Sequence, residues 1–296
     1  MNRTIVRLKS VRHVLGLLVV IFLSAAVSWA AGDGRLEKTF DSTREPRISL
    51  NNLKGQILVR GWEKAQVHVV YTVASPRLEV DSEILPDTGP AEKIRFETHL
   101  LDPALPSDEQ MADYTLDVPA GATLEIRNPQ GKIRVEGMQA DATVQSVGGD
   151  ISVRDYSGHL SVHSVAGDIE VIRPSGNVDA YSITGNLHFV SPTTTRLHGS
   201  TTSGRILYEG DFTDRGDYIL SAYSGDVDVV CPPTASYELN AKTLKGKVIN
   251  TMPMTSRRES ATPRGASNSL LGTRNAGKAT VELTSFSGSI HIRPQD

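Results

Sequence analysis

His159 and His163 stand four residues apart, and Asp150, Asp168 and Asp226 each follow a glycine. These are the residues whose types could carry metal chemistry. Two histidines at i and i+4 share one face of a helix and can hold zinc there. On a strand the same pair spans ~13 Å and cannot share one ion. Here Leu160 and Val162 alternate with the histidines, so the segment reads as a strand and the pair as outward decoration. His188 and His291 likewise sit between apolar pairs. Calcium held between stacked glycine-rich corners calls for Gly-Gly-x-Gly-x-Asp, which only Gly148-Gly149-Asp150 approaches. The same column elsewhere holds Lys132, Asn186, Arg205, Lys247 and Ser289, a charge-balanced surface in which Arg205, Asp226 and Lys247 are placed to pair across turns.

The remaining chemistry is equally thin. Asp150, Asp168, Glu170, Asp179 and Asp228 could supply paired carboxylates for a glycosidase or lyase, but Asp168 and Glu170 alternate with apolar residues as ordinary surface does. Gly-x-Ser-x-Gly, the P-loop and the dinucleotide fingerprint are all missing. Cys231, before Pro232-Pro233, reads as a small buried hydrophobe, with an intermolecular disulfide as the alternative. Trp62 reads as a cap on the first turn. Tyr208 and Tyr218 fall among core positions, and Tyr181 points outward where a ligand could touch it. Arg257, Arg258, Arg264, Arg274 and Lys278 against Glu259 make a late segment basic enough to meet anionic polymers, although charge runs are usually only solvated. No catalytic, cofactor-binding or metal-ligating residue is assigned, and no cofactor is expected.

Composition narrows the classes further. Among 296 residues, aromatics make up 5%, so a core must be built from Ile, Val, Leu and Ala. The net charge of −3 argues against a nucleic-acid partner. A single cysteine excludes a disulfide framework, an iron–sulfur cluster and a thiolate zinc site. Residues 1–30 read as a signal peptide: Arg3, Arg7, Lys9 and Arg12 precede the apolar stretch Val14–Val27, and Ser28-Trp29-Ala30 offers small residues at −3 and −1. An uncleaved anchor is the alternative, since Val14–Ala31 could just span a bilayer. Cleavage takes away four positive charges and no negative one, moving the net charge from −3 to −7. The expected product, residues 31–296, is exported to the periplasm or cell surface and meets membrane only through the signal segment.

What positions these side chains is a repeat. Gly131, Gly149, Gly167, Gly185, Gly204, Gly225 and Gly246 are spaced 18, 18, 18, 19, 21 and 21 residues apart, and Gly288 follows 42 later. After each but Gly246, where Asn250 takes the second place, stand two apolar residues one apart, as in Gly149-Asp-Ile-Ser-Val and Gly225-Asp-Val-Asp-Val. Seven small residues from Gly131 to Gly185 are also spaced nine apart, each followed by such a pair. A spacing of two is a strand period. One unit cannot bury its apolar pair, but copies stacked at ~4.8 Å can. The predicted fold is therefore all-β, a β-solenoid of about 18–21 residues per turn with two main strands per turn and undetermined hand.

Stacked in chain order, one apolar column reads Ile133, Ile151, Ile169, Leu187, Ile206, Val227, Val248, Ile290. The opposite column reads Leu124, Ala142, Leu160, Val178, Leu197, Tyr218, Leu239, Val281. Three residues before each glycine lies Asn52, Asn128, Ser146, Ser164, Ser182, Thr201, Ala222, Thr243 or Ser285, a column suited to hydrogen-bonded corners. The corner glycines are expected to supply positive φ. The pattern lapses at about 75–112, read as an inserted loop or hairpin with Ile94–His99 as a strand, and at about 252–278, a second irregular insertion.

Leu116-Asp-Val-Pro-Ala-Gly-Ala-Thr-Leu-Glu-Ile, followed by repeated Ser-x-x-Gly-Asp-Ile/Val-x-Val, resembles the bacterial exported "putative adhesin" family, a domain of unknown function. Asn52-Leu-Lys-Gly-Gln-Ile-Leu-Val-Arg-Gly-Trp and Thr284-Ser-Phe-Ser-Gly-Ser-Ile-His-Ile are similar to its opening and closing turns, so the resemblance runs from about Leu36 to Arg293. It implies a cell-envelope β-solenoid serving adhesion or scaffolding; the signal segment, the stacked repeats and the missing catalytic set add the expectation of a non-enzymatic protein with an unidentified envelope protein or polysaccharide as partner. The resemblance brings no catalytic residue with it. Two alternatives stay open: a carbohydrate-active β-helix enzyme, and a structural protein that self-associates end to end through unpaired strand edges.

Overall fold

The computed structural model describes residues 34–256 and 268–295. The segment read as a signal peptide, and Arg257, Arg258, Glu259 and Arg264, lie outside them. The described residues contain strands and no helix. In chain order these are β1 (Arg35–Asn51), β2 (Ile57–Trp62), β3 (Gln66–Val73), β4 (Leu78–Leu85), β5 (Ala91–Leu100), β6 (Ala112–Pro119), β7 (Thr123–Asn128) and β8 (Ile133–Glu136). Next come β9 (Ala142–Ser146), β10 (Ile151–Arg154), β11 (His159–Ser164), β12 (Ile169–Ile172), β13 (Asn177–Ser182), β14 (Leu187–Val190), β15 (Arg196–Thr201) and β16 (Ile206–Glu209). The last are β17 (Asp217–Ala222), β18 (Val227–Cys231), β19 (Tyr237–Thr243), β20 (Val248–Asn250), β21 (Thr255–Ser256), β22 (Ser269–Arg274), β23 (Ala279–Ser285) and β24 (Ile290–Pro294).

The chain winds as a β-solenoid. Successive turns pair in parallel, β8–β10–β12–β14–β16–β18 on one face and β7–β9–β11–β13–β15–β17 on the other. The register is the one the repeat dictates: Ile133, Ile151, Ile169, Leu187, Ile206 and Val227 stack directly. So do Leu124, Ala142, Leu160, Val178, Leu197 and Tyr218. All of these residues are buried, and the two columns face each other in one continuous core. Strict alternation makes this register robust, because a one-residue slip would put every apolar side chain in water.

The corners explain the glycines, though not through φ. Gly55 and Gly131 have φ of 127° and 110°, but Gly149, Gly167, Gly185, Gly204, Gly225, Gly246 and Gly288 are not in the positive-φ region. Their constraint is close approach: a Cβ on Gly149 would overlap the carbonyl oxygen of Gly131, and one on Gly167 that of Gly149. The same contact recurs down the column. Beside it, the hydroxyl column closes each corner, with the N–H groups of Gly149, Gly167, Gly185 and Gly204 donating to the side-chain oxygens of Ser146, Ser164, Ser182 and Thr201 at 2.9–3.0 Å. Asn128 works between turns, its Nδ2 donating to the carbonyl of Gly55 at 2.8 Å.

Chain order and stacking order part company near one end. β23 lies between β17 and β19, and β24 lies between β18 and β20. The columns therefore run Val227–Ile290–Val248 and Tyr218–Val281–Leu239, which reverses the last two positions of the sequence-based order. Both rungs carry the Ser/Thr-x-x-Gly corner and the first apolar position; they differ at the second, Ile292 in the inner rung and Asn250 in the outer one.

Antiparallel strands cover the edges of β5, β6 and β19, a common protection for exposed strand edges, while β20 pairs with β24 alone among the described strands. Within residues 75–112, β4 and β5 form a hairpin whose β5 continues one face beside β1. β6 continues the other face beside β2, followed by β3 and then the first part of β1. At the opposite end, β22 and β21 add antiparallel strands outside β19. Arg274, counted in the sequence as part of a basic solvated segment, is instead buried, its guanidinium donating to the carbonyls of Pro253 (2.7 Å) and Pro233. Lys278 pairs with Asp214 at 2.8 Å.

One end contact is pH-sensitive. His68 on β3 lies 3.0 Å from Glu37 of β1 and 3.2 Å from Asp117 of β6, while Arg60 of β2 reaches Asp117 at 2.8 Å. Hydrogen bonding to Glu37 raises the imidazole pKa above its ordinary 6.5, partial burial opposes this, and Asp117 adds to the rise. A folded-state pKa above the unfolded one stabilises fully below the unfolded value and ceases to do so as pH climbs through the raised value. Amide exchange over residues 35–41, corrected for intrinsic rate, is therefore expected to lose protection across that interval. His68→Gln should remove the pH dependence, and a flat profile in the unmodified chain would refute the linkage.

Candidate binding surface

The polar residues singled out in the sequence are dispersed. His159 pairs with Asp179 at 3.7 Å, and His163 packs beside Tyr181 with ring centroids 6.1 Å apart. His188 bridges Glu170 (3.9 Å) and Glu209 (2.9 Å), and His291 lies 3.1 Å from Asp228. No group of three or more His, Cys, Asp or Glu side chains among the described residues is arranged to hold a metal ion.

The five acids considered as paired carboxylates do not form one cluster. Asp150, Asp168 and Glu170 belong to the β10–β12 face, and Asp179 lies on β13 on the other face, against His198 at 3.2 Å. Asp228 is buried and held by Arg205 (2.5 Å) and His291. Arg205 thus meets Asp228, not the expected Asp226, whose Oδ1 accepts the N–H of Ser289 at 2.7 Å. Ser289 enters because β24 is inserted there, which also separates Asp226 from Lys247. Asp150 Oδ1 accepts the backbone N–H of Asp168, and Asp168 Oδ1 accepts from both the backbone N–H and the side-chain Nδ2 of Asn186. These carboxylates thus serve to link one turn to the next. A shallow groove of about 620 Å³ runs over this face, lined by polar side chains including Arg134, Ser152, Glu170 and His188.

Cys231 is buried beside Met252 Sδ (3.4 Å), away from any intermolecular disulfide. Burial raises the thiol pKa to about 11, with Tyr237 and Arg274 opposing and Asp211 adding. Such a thiol is a poor nucleophile at neutral pH. Native protein should leave a thiol-specific reagent unreacted, releasing one equivalent only on unfolding; fast native labelling would contradict the packing. Trp62 is half-buried, its Nε1 donating to the carbonyl of Gln66 at 2.8 Å, with Lys64 over the ring.

The other surface is apolar and was not read from the sequence. From Asn128 onward, the residue after each position of the corner column points outward: Pro129, Val147, Val165, Ile183, Thr202, Tyr223, Phe286 and Leu244, in stacking order. Only Thr202 interrupts the apolar run. Val147 is 51% exposed, Tyr223 57% and Leu244 58%, although strand alternation would put polar residues outside. The rungs place one such side chain every ~4.8 Å along the axis. Toward one end, Tyr223 and Phe286 stack at 4.7 Å with planes 7° apart, and Lys245 covers Phe286 at 5.0 Å. Toward the middle, Val147, Val165 and Ile183 border a groove of about 370 Å³ whose other wall includes Gln145, His163 and Tyr181. The signal was present as an apolar residue at a fixed offset from the corner hydroxyl.

No protein-family model matches the chain, and no curated protein matches it. Two solved structures are similar to it. One is a putative cell adhesion protein from Clostridium sporogenes, 13% identical, covering 89% of this chain and 100% of that one, with a TM-score of 0.28. The other is a putative adhesin from Bacteroides fragilis, 10% identical, covering 89% and 98% respectively, with a TM-score of 0.46.

Proposed function

We propose that this chain is a non-enzymatic cell-envelope β-solenoid, an adhesin or scaffold of the exported "putative adhesin" type, that binds a protein partner along its outer corner. One observation carries the reading: the exposed apolar ridge from Val147 through Val165 and Ile183, with Tyr181 beside it. Contiguous apolar surface of this kind is a usual mark of a protein interface. A partner that is itself apolar fits the Val147–Ile183 groove better than an anionic polymer does. Recognition by a rigid ladder fits the fold, since solenoids offer extended surfaces at little ordering cost. The apolar stretch Val14–Val27 and the small residues Ser28 and Ala30 support export.

The test compares binding of purified protein to isolated cell envelopes before and after protease treatment of the envelopes. Saturable binding should be lost on protease treatment and in Val165→Lys/Ile183→Lys. Ser152→Lys, on the opposite face, should bind like the unmodified chain. Binding that survives protease would assign the surface to a polymer instead, and turnover of envelope glycans by the unmodified chain would overturn the non-enzymatic reading.

A further inference from the structure

The β23–β24 pair occupies a slot between two rungs that precede it in the sequence. β23 hydrogen-bonds to β17 on one side and β19 on the other; β24 does the same with β18 and β20. Its side chains are generic to the repeat. Ala279, Val281, Leu283, Ile290 and Ile292 enter the core columns. Ser285 Oγ accepts the N–H of Gly288 and donates to the carbonyl of Gly225 at 3.1 Å. The rung above repeats that chemistry: Thr243 Oγ1 accepts the N–H of Gly246 and donates to the carbonyl of Gly288 at 2.8 Å.

A second stacking is therefore built into the fold. With β23–β24 withdrawn, the β19–β20 rung can settle onto β17–β18, bringing Leu239 to Tyr218, Thr243 to Ala222, Gly246 to Gly225 and Val248 to Val227. Each of these four positions has the side-chain type of the one it replaces; the one mismatch is Asn250, which would take the place of Ile292 beside Val229. The withdrawn pair then exposes two unpaired strands with their apolar rows, a donor for any equivalent slot. The connection that must open is short, Asn275–Lys278 between β22 and β23, and holds two residues at positive φ, Asn275 (50°) and Gly277 (64°).

We infer that β23–β24 is an exchangeable insert: the slot between the β17–β18 rung and the β19–β20 rung accepts the same strand pair from a second copy of this chain, which yields strand-exchanged assemblies. The closed and exchanged forms make the same interfacial contacts. They differ only in the connection and in the effective concentration of the donor, so protein concentration sets the balance.

The experiment adds a dye-labelled peptide spanning residues 277–295 to the full chain and follows co-elution by size exclusion. The peptide should enter the protein peak slowly, and the displaced strands should become protease-sensitive. Ile290→Asp in the peptide should abolish entry. Ser221→Cys/Thr284→Cys provides the second control: these residues are register partners with side-chain oxygens 2.8 Å apart. Their rung spacing of ~4.8 Å falls within the Cα range of about 4.4–6.8 Å that a disulfide spans. Oxidised, this variant should lose peptide uptake, and reduction should restore it. No uptake by the unmodified chain, or equal uptake by the oxidised variant, would overturn the inference.

Discussion

Ile169→Asp is expected to unfold several turns at once. Ile169 is buried at the centre of a stacked column, with Ile151 on one side and Leu187 on the other. Nothing in those two rows offers a partner to a carboxylate, so the charge is either buried unpaired or the rung opens. Leaving an uncompensated charge buried in this way costs roughly 3–5 kcal/mol. Because each turn of a solenoid draws its stability from its neighbours, the damage should spread to adjacent rungs. The midpoint of urea unfolding should fall sharply, and amide protection should be lost over β10, β12 and β14 together. Ile169→Val, which only removes a methylene, should cost about 1 kcal/mol. An aspartate variant that unfolds at the urea concentration of the unmodified chain would mean that Ile169 does not face the core.

Gly167→Ala is expected to be nearly as harmful, for a different reason. The added methyl meets the carbonyl oxygen and carbon of Gly149, which are backbone atoms that a rotamer change cannot move. The turn must shift or separate, and either movement weakens the parallel ladder on both sides. A cost toward the upper end of overpacking effects, roughly 3 kcal/mol, is expected. Ser164→Ala at the same corner leaves the Gly167 N–H without its 2.9 Å acceptor and should cost about 1–2 kcal/mol. Gly148→Ala tests the distinction between close approach and backbone flexibility. Gly148 also lies at the corner, but its nearest neighbour to an added Cβ is 3.9 Å away, an ordinary contact. If Gly148→Ala and Gly167→Ala destabilised equally, close stacking would not be what selects glycine.

Much of the architecture was legible because burial leaves a period-two imprint and the corner leaves a glycine. Ile133 to Val227 stack as the spacing implies, and the corner hydroxyls bond as their column implies. The order of the last rungs was not legible. Thr243-x-x-Gly246-x-Val and Ser285-x-x-Gly288-x-Ile fit the same neighbours, so long-range pairing, not local pattern, decides which lies nearer the middle. The end strands escaped for a related reason. β4 and β22 join antiparallel edges and need no corner glycine, so they leave no mark on the repeat, whereas β5 showed in part, as the strand read at Ile94–His99.

The exposed apolar ridge was hidden by the rule that exposed the fold. Once strand residues are sorted into inward apolar and outward polar, an apolar residue just beyond the strand draws no notice. Val147, Val165 and Ile183 each follow a buried serine and begin the corner, outside the alternating segment. Their significance comes from stacking, which turns three isolated aliphatic side chains into one ridge. The dispersed histidines show the opposite case. His188, read from the sequence only as an outward residue, sits between carboxylates of neighbouring turns and ties the ladder together, and His198 does the same on the other face.

The most direct test of the central claim is photo-cross-linking in intact cells, with a photoreactive residue at position 183 and, in a second strain, at position 152 on the opposite face. The account predicts a recurrent, protease-sensitive partner joined from position 183 and absent from position 152. Partners captured only from position 152, or self-links alone from position 183, would contradict it.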